Sequence, residues 1–219
     1  MAGTINVEHI GNVSLLTIDN PPANAMDANM LGRLLDEFEA IAQAARTRAV
    51  VLTGTGSSFC AGADLKANGG EAISAFGRLL NAVESSPIPV IAAINGWCIG
   101  GGFELALCCD IRIAAREAKF ACAGVNMGLM ASAYRLPRLI GIGRAKTMLL
   151  TGSTFDATTM EHFGVTTQTE SFDELLVAAK TLAMRIASRA PLSVEATKRV
   201  ASRALDLDRV WSDPRGESG

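Results

Sequence analysis

The sequence predicts an α/β layered fold. Two observations carry that expectation. Short apolar runs alternate along the chain with longer segments whose apolar residues recur at helical spacing. Glycine and proline clusters separate the two kinds of segment.

Taken in order, Ile5 to His9 and Val13 to Ile18 alternate apolar and polar residues around Gly11-Asn12, the pattern of a hairpin. Asn20-Pro21-Pro22 stops that sheet. Met30 to Ala45 places Leu31, Leu34, Leu35, Phe38 and Ile41 on one helical face. Ala49 to Leu52 reads as a short buried strand ended by Gly54-Thr55-Gly56. Ile73, Phe76, Leu80 and Val83 form a second helical stripe. Pro87 and Pro89 introduce another apolar strand, Val90 to Ile94. Gly96 to Cys109 starts rich in glycine and continues as a helix, and Asp110 to Ala114 returns as a strand. Ala145 to Leu150, Ala157 to Phe163 and Glu174 to Ser188 read as helices. The polar end, Ser212 to Gly219, is expected to fray.

Composition narrows the function classes. With 219 residues, 49% apolar and 19% charged, the chain is long and apolar enough for one sizeable core and is not a disordered protein. A net charge of −2 supplies no basic field for nucleic acid or an acidic membrane surface. Met1 to Glu8 lacks the basic and apolar regions of a secretory signal, and no apolar stretch is long enough to span a bilayer. The five cysteines form no CxxC pair, which argues against a disulfide framework or a zinc cluster and for a reducing cytoplasm. The two histidines, His9 and His162, lack a second histidine at helical spacing, so no metal site is expected.

Two loops carry candidate chemistry. Ser58-Phe59-Cys60-Ala61-Gly62-Ala63-Asp64-Leu65-Lys66 follows a strand. Asn95-Gly96-Trp97-Cys98-Ile99-Gly100-Gly101-Gly102-Phe103-Glu104-Leu105 follows another and enters a helix. Glycines at a helix start let a ligand approach the backbone, and the first N–H groups of a helix have no internal partner and favour negative charge. Glu104, three residues beyond Gly101, lies about one turn away on the same end. A carboxylate beside anion-stabilising N–H groups suits enolate chemistry. The same glycines also permit tight helix–strand packing, and Glu104 also serves as a first-turn acid. Spacing alone leaves both readings open. Cys60 and Cys98 read as small buried filler, since no histidine stands near them in sequence. Gly141-Ile142-Gly143-Arg144-Ala145-Lys146 lacks the third glycine of a dinucleotide loop.

The Ser58–Leu65 segment resembles the first oxyanion segment of the enoyl-CoA hydratase/isomerase (crotonase) family. Ala92-Ala93-Ile94-Asn95-Gly96, with Gly100 to Ala106 and Cys109-Asp110, resembles the second. Ala118-Lys119-Phe120, Leu149-Leu150-Thr151-Gly152 and Ala190-Pro191-Leu192 with Lys198 match later landmarks. The resemblance runs from about Ile5 to Ala204. It implies a crotonase-like spiral of β-β-α repeats over residues 1–189, followed by a helical C-terminal segment, 190–219, that is short relative to the family.

It further implies that the N–H groups of Ala63 and Gly101 form an oxyanion hole and that Glu104 is catalytic. Ala25, Ala61, Asp64, Leu65 and Gly100 would line an acyl-coenzyme A groove, with Lys66 meeting coenzyme phosphates or simply solvated. Gly124 falls at the substrate-facing position where hydratases of the family carry a second glutamate, and Phe120 to Tyr134 holds no acidic residue. The implied function is a lyase or isomerase of fatty acid metabolism acting on an acyl-CoA thioester, with weakened hydration. Coenzyme A enters as part of the substrate and no separate cofactor is expected. A homotrimer or homohexamer is the implied assembly. A non-catalytic acyl-CoA-binding protein, or decarboxylation or thioester hydrolysis through Glu104 alone, are the alternatives.

Overall fold

The computed structural model describes residues 3–44, 46–64 and 69–204. The hairpin is present: β1 (Thr4–Ile10) pairs antiparallel with β2 (Val13–Asp19) across Gly11-Asn12. Helix α1 (Ala28–Gln43) begins two residues earlier than its apolar stripe suggested, because the Asp27 side chain accepts the Met30 N–H and caps it. After it come β3 (Ala49–Gly54), β4 (Ser58–Cys60) and α2 (Gly69–Ser85). Next are β5 (Val90–Ile94), β6 (Trp97–Ile99) and α3 (Gly101–Cys108), then β7 (Ile111–Ala115) and β8 (Lys119–Ala121). A 3-10 turn at Ala123–Met127 leads to α4 (Arg135–Ile140) and α5 (Ile142–Thr151). The rest is β9 (Thr154–Asp156), α6 (Ala157–Phe163), β10 (Gln168–Glu170), α7 (Phe172–Ala187) and α8 (Pro191–Ala201).

These strands build two sheets. The larger has the order β1-β2-β3-β5-β7-β10 and is parallel from β2 onward. The smaller has the order β4-β6-β8-β9. Successive pairs β3/β4, β5/β6 and β7/β8 each place one strand in each sheet, so the chain winds as a spiral of β-β-α turns. Its strands and helices are those of the expected α/β class.

Side-chain alternation in the large sheet feeds two cores. Leu16, Ile18, Val50, Leu52, Ala92, Ile94 and Ala114 face the main core with α1, α2 and α3. Leu15, Val51, Ile91, Ala93, Ile113 and Ala115 face the opposite side. There α7 lays Leu175, Ala179, Ala183 and Ala187, one residue per turn, against the sheet. Three small-sheet strands, β4, β8 and β9, and the one-turn helix α4 were not anticipated. Each is three to six residues long, too short for a period to register. Strand β6 lies inside the segment read as a loop running into a helix. The predicted frayed end, Ser212 to Gly219, lies outside the described residues.

No described helix is long and apolar enough to cross a membrane.

Candidate active site

The two glycine-bearing loops leave neighbouring strands of the small sheet, β4 and β6, and meet at one place. Two buried asparagines shape the approach. Asn24 donates to the carbonyls of Thr55 and Ser58 (2.9 and 2.6 Å) and accepts the Asn20 N–H. Asn95 donates to the carbonyls of Gly56 and Ser58 (2.9 and 3.1 Å) and accepts the Gly54 N–H. Between them they occupy the carbonyls of the β3–β4 turn that neither sheet can use. Met26 then pairs with the first loop: its N–H donates to Gly62 O and its carbonyl accepts the Asp64 N–H, both at 2.8 Å. That pairing turns the intervening Ala63 N–H away from Met26, and among the described residues it donates to no acceptor.

The second loop delivers Gly101 as the first residue of α3, with an N–H that has no intrahelical acceptor. The preceding Gly100 has φ 54° and ψ −119°, a conformation open only to glycine. Gly101 lies against Gly62: a Cβ on Gly101 would sit 3.0 Å from the Gly62 Cα and 3.0 Å from the Phe76 ring. Gly102 has the packing role, since a Cβ there would sit 1.9 Å from the Cys60 carbonyl. The glycine run therefore serves both purposes that spacing left open, one glycine at a time.

Glu104 follows one turn later on α3 and is buried, 7% exposed. Its Oε1 accepts from Arg135 Nη1 at 2.5 Å, and its buried Oε2 has no hydrogen-bond partner among the described residues. Arg135, the first residue of α4, also grips Glu84 at the end of α2, through Nε (3.2 Å) and Nη2 (2.7 Å). Burial pulls the Arg135 guanidinium down, but its bonds to Glu84 and Glu104 outweigh that and hold it above its ordinary range. The Cys122 thiol nearby is pushed up to about 12, first by burial and then by the Glu104 carboxylate.

The floor of α3 is held from its far end. Arg112 is buried and donates to the carbonyls of Cys109 (2.6 Å) and Ala106 (3.3 Å) at the end of α3 and to that of Val165 (2.6 Å) beyond α6, tying the helix end to the segment before β10. Burial lowers its pKa from the ordinary value. Lys198 of α8 donates to Asp110 Oδ2 (2.8 Å), which also accepts the Val90 N–H. Beyond Arg135 and Glu84 opens a cavity of about 890 Å³, walled by Leu107, Leu139, Ile186 and Val194 among others.

The structure thus brings Ala61, Ala63, Asp64, Gly100, Gly101 and Glu104 into two abutting loops and one helix start. Ala25 is adjacent in the chain to Met26 and its carbonyl accepts from Asn20. Leu65 and Lys66 lie outside the described residues. Gly124 stands in the 3-10 turn, where a Cβ would meet the Leu129 carbonyl at 2.8 Å. Arg135, Glu84, Asn24 and Asn95 were not singled out from sequence. Glu84, Glu104 and Arg135 come from three helices with no spacing rule between them. Cys60 and Cys98 are fully buried, as filler should be. Burial pushes the Cys60 thiol up to about 12 although its sulfur accepts the Gly62 N–H. Among the described residues no group of histidine, cysteine, aspartate or glutamate could hold a metal ion.

A family model described as enoyl-CoA hydratase/isomerase matches residues 8–212. The chain is 36% identical over 222 residues to a crotonyl-CoA hydratase of Syntrophomonas wolfei, covering 95% of this chain and 85% of that protein. Among solved structures, an enoyl-CoA hydratase from Bacillus anthracis is 36% identical with a TM-score of 0.87, covering 91% of this chain and 82% of that one. A monofunctional enoyl CoA isomerase from M. smegmatis is 35% identical with a TM-score of 0.83, covering 92% of this chain and 93% of that one.

Proposed function

Because the chain belongs to the enoyl-CoA hydratase/isomerase family, we propose that it transforms an enoyl-type acyl-CoA thioester through an enolate held by the Ala63 and Gly101 N–H groups, with Glu104 moving the proton. The observation that carries this reading is Glu104 Oε2, buried and without a hydrogen-bond partner among the described residues, on the helix whose first N–H has no intrahelical acceptor. A buried carboxylate oxygen left bare costs free energy unless a substrate proton or water comes to it.

In hydration, water adds to the β carbon while Glu104 takes its proton. The thioester oxygen becomes an enolate oxygen on the two N–H groups, and the α carbon then takes up a proton. Two proton transfers on two atoms favour two carboxylates, and Gly124 offers no side chain for the second. Glu84 does not replace it, because both its oxygens face Arg135. In isomerisation, one carboxylate takes a proton from one carbon of the acyl chain and returns it to another, so Glu104 alone suffices. The single free oxygen therefore favours proton relocation, with hydration present but slow. Coenzyme A enters with the substrate, no separate cofactor takes part, and the reduced thiols support a cytoplasmic setting. Ala25, Ala61, Asp64, Leu65, Lys66 and Gly100 are proposed to border the coenzyme groove.

The test is Glu104→Gln, assayed on short 2-enoyl- and 3-enoyl-CoA thioesters for both binding and turnover. Removing the one acid/base lowers kcat by about 10²–10⁴-fold and leaves acyl-CoA binding nearly intact. A variant as active as the parent removes Glu104 from the mechanism.

A further inference from the structure

Arg135 meets two carboxylates that the chain supplies from different helices. Its Nε–Nη2 edge takes Glu84 in a two-point grip, which fixes the plane of the guanidinium. The remaining Nη1 then points at one place, and Glu104 Oε1 is there. The inner pair is sheltered, with side-chain exposures of 18% for Arg135 and 10% for Glu104, whereas Glu84 is 45% exposed. An arginine held from its outer side by an accessible carboxylate thus holds an inner one.

We propose that Arg135 is a positioning residue for Glu104: by occupying Oε1 it leaves Oε2 as the one oxygen that exchanges a proton with the acyl chain, and Glu84 holds Arg135 in the pose that does so. This rests on the reading of Glu104 as the acid/base. Without Arg135 the glutamate side chain has free rotation about its last bond and two equivalent oxygens. With it, one oxygen is fixed and the other is bare. The groups that face Glu104 agree with this division. Among the described residues they include Arg135 on α4, Cys108 on α3 itself and Cys122 just beyond β8, with Glu84 of α2 bonded to the other edge of Arg135. Arg135 is the single cation among them, and the two thiols stay neutral because burial raises both. The segment that lacks a second acid therefore leads directly into a residue that equips the first.

The experiment compares Arg135→Gln, Arg135→Lys, Glu84→Gln and Glu104→Gln on the same thioesters, with kcat and KM read separately and thermal midpoints recorded. Arg135→Gln is expected to lower kcat about 10²-fold, as misplacement of a reacting group does, with KM held within about twofold because the thioester binds through the backbone. Arg135→Lys restores part of kcat, since an ammonium supplies the charge but not the two-sided fork. Glu84→Gln falls between Arg135→Gln and the parent. Unchanged kcat in Arg135→Gln, while Glu104→Gln is inactive, overturns the positioning role and leaves the acid/base reading standing. Should Arg135→Gln not fold, parent-like kcat in both Arg135→Lys and Glu84→Gln overturns it equally. A fully active Glu104→Gln is the separate result that removes the underlying reading.

Discussion

Gly62 and Gly101 are packed backbone to backbone: a Cβ on Gly62 would lie 2.7 Å from the Gly101 Cα and 2.9 Å from its nitrogen. Thirty-nine residues apart in sequence, they set the first loop directly against the start of α3. Gly62 also has φ +97°, which strains any residue with a side chain. Gly62→Ala should therefore push the two loops apart and lower kcat/KM by about 10²-fold. It should cost about 1–2 kcal/mol of stability from the backbone angle alone. Activity assays beside a urea titration check both numbers, and parent-like turnover would argue that the two N–H groups do not act together.

Gly101→Pro removes one donor while respecting the helix. Proline is tolerated at the first helical position, where the N–H has no intrahelical partner. Turnover should vanish, and helical circular dichroism should change little. Retained turnover rules out the Gly101 N–H as an oxyanion donor.

The thiols give a pH-dependent expectation. Burial raises Cys60 and Cys109 to about 12, so both are protonated at neutral and mildly alkaline pH. Only the thiolate alkylates. Iodoacetamide at pH 8 should thus leave Cys60 unlabelled in the folded protein and label it after denaturation, as read by mass spectrometry. Rapid native labelling of Cys60 would show that the first loop opens to solvent.

Arg112→Ala should leave the carbonyls of Cys109 and Val165 without their donor, while the Ala106 carbonyl keeps the Cys109 N–H. Each buried acceptor left bare costs about 1–3 kcal/mol, and the whole change should cost about 3 kcal/mol or more. The urea midpoint should fall with little change in slope. A loss below about 1 kcal/mol would mean that water replaces the arginine there.

A homotrimer or homohexamer is expected in solution. Large apolar side chains stand exposed, among them Met130 (89%), Leu192 (80%) and Leu150 (73%), more than an isolated chain gains from. Light scattering at micromolar concentration measures the mass directly, and a monodisperse monomer refutes the assembly.

The sequence by itself determined the α/β class, the hairpin, the long helices α1 and α7 and the two loops of the site. Those features are local: periods of two and about 3.6 residues need only a few turns of chain to be visible, and glycine runs announce a constrained backbone. Glu104 and the absence of an acid from Phe120 to Tyr134 were equally legible, because they are statements about residue type at a position. Tertiary structure alone decided the rest. The small sheet is built from three-residue strands that no period reveals, and their pairing sets two loops against each other. The Glu84–Arg135–Glu104 bridge joins helices far apart in the chain, held by charge and distance that exist only after folding. Long-range contacts carry no sequence period, so the candidate carboxylate was readable and the arginine bonded to it was not.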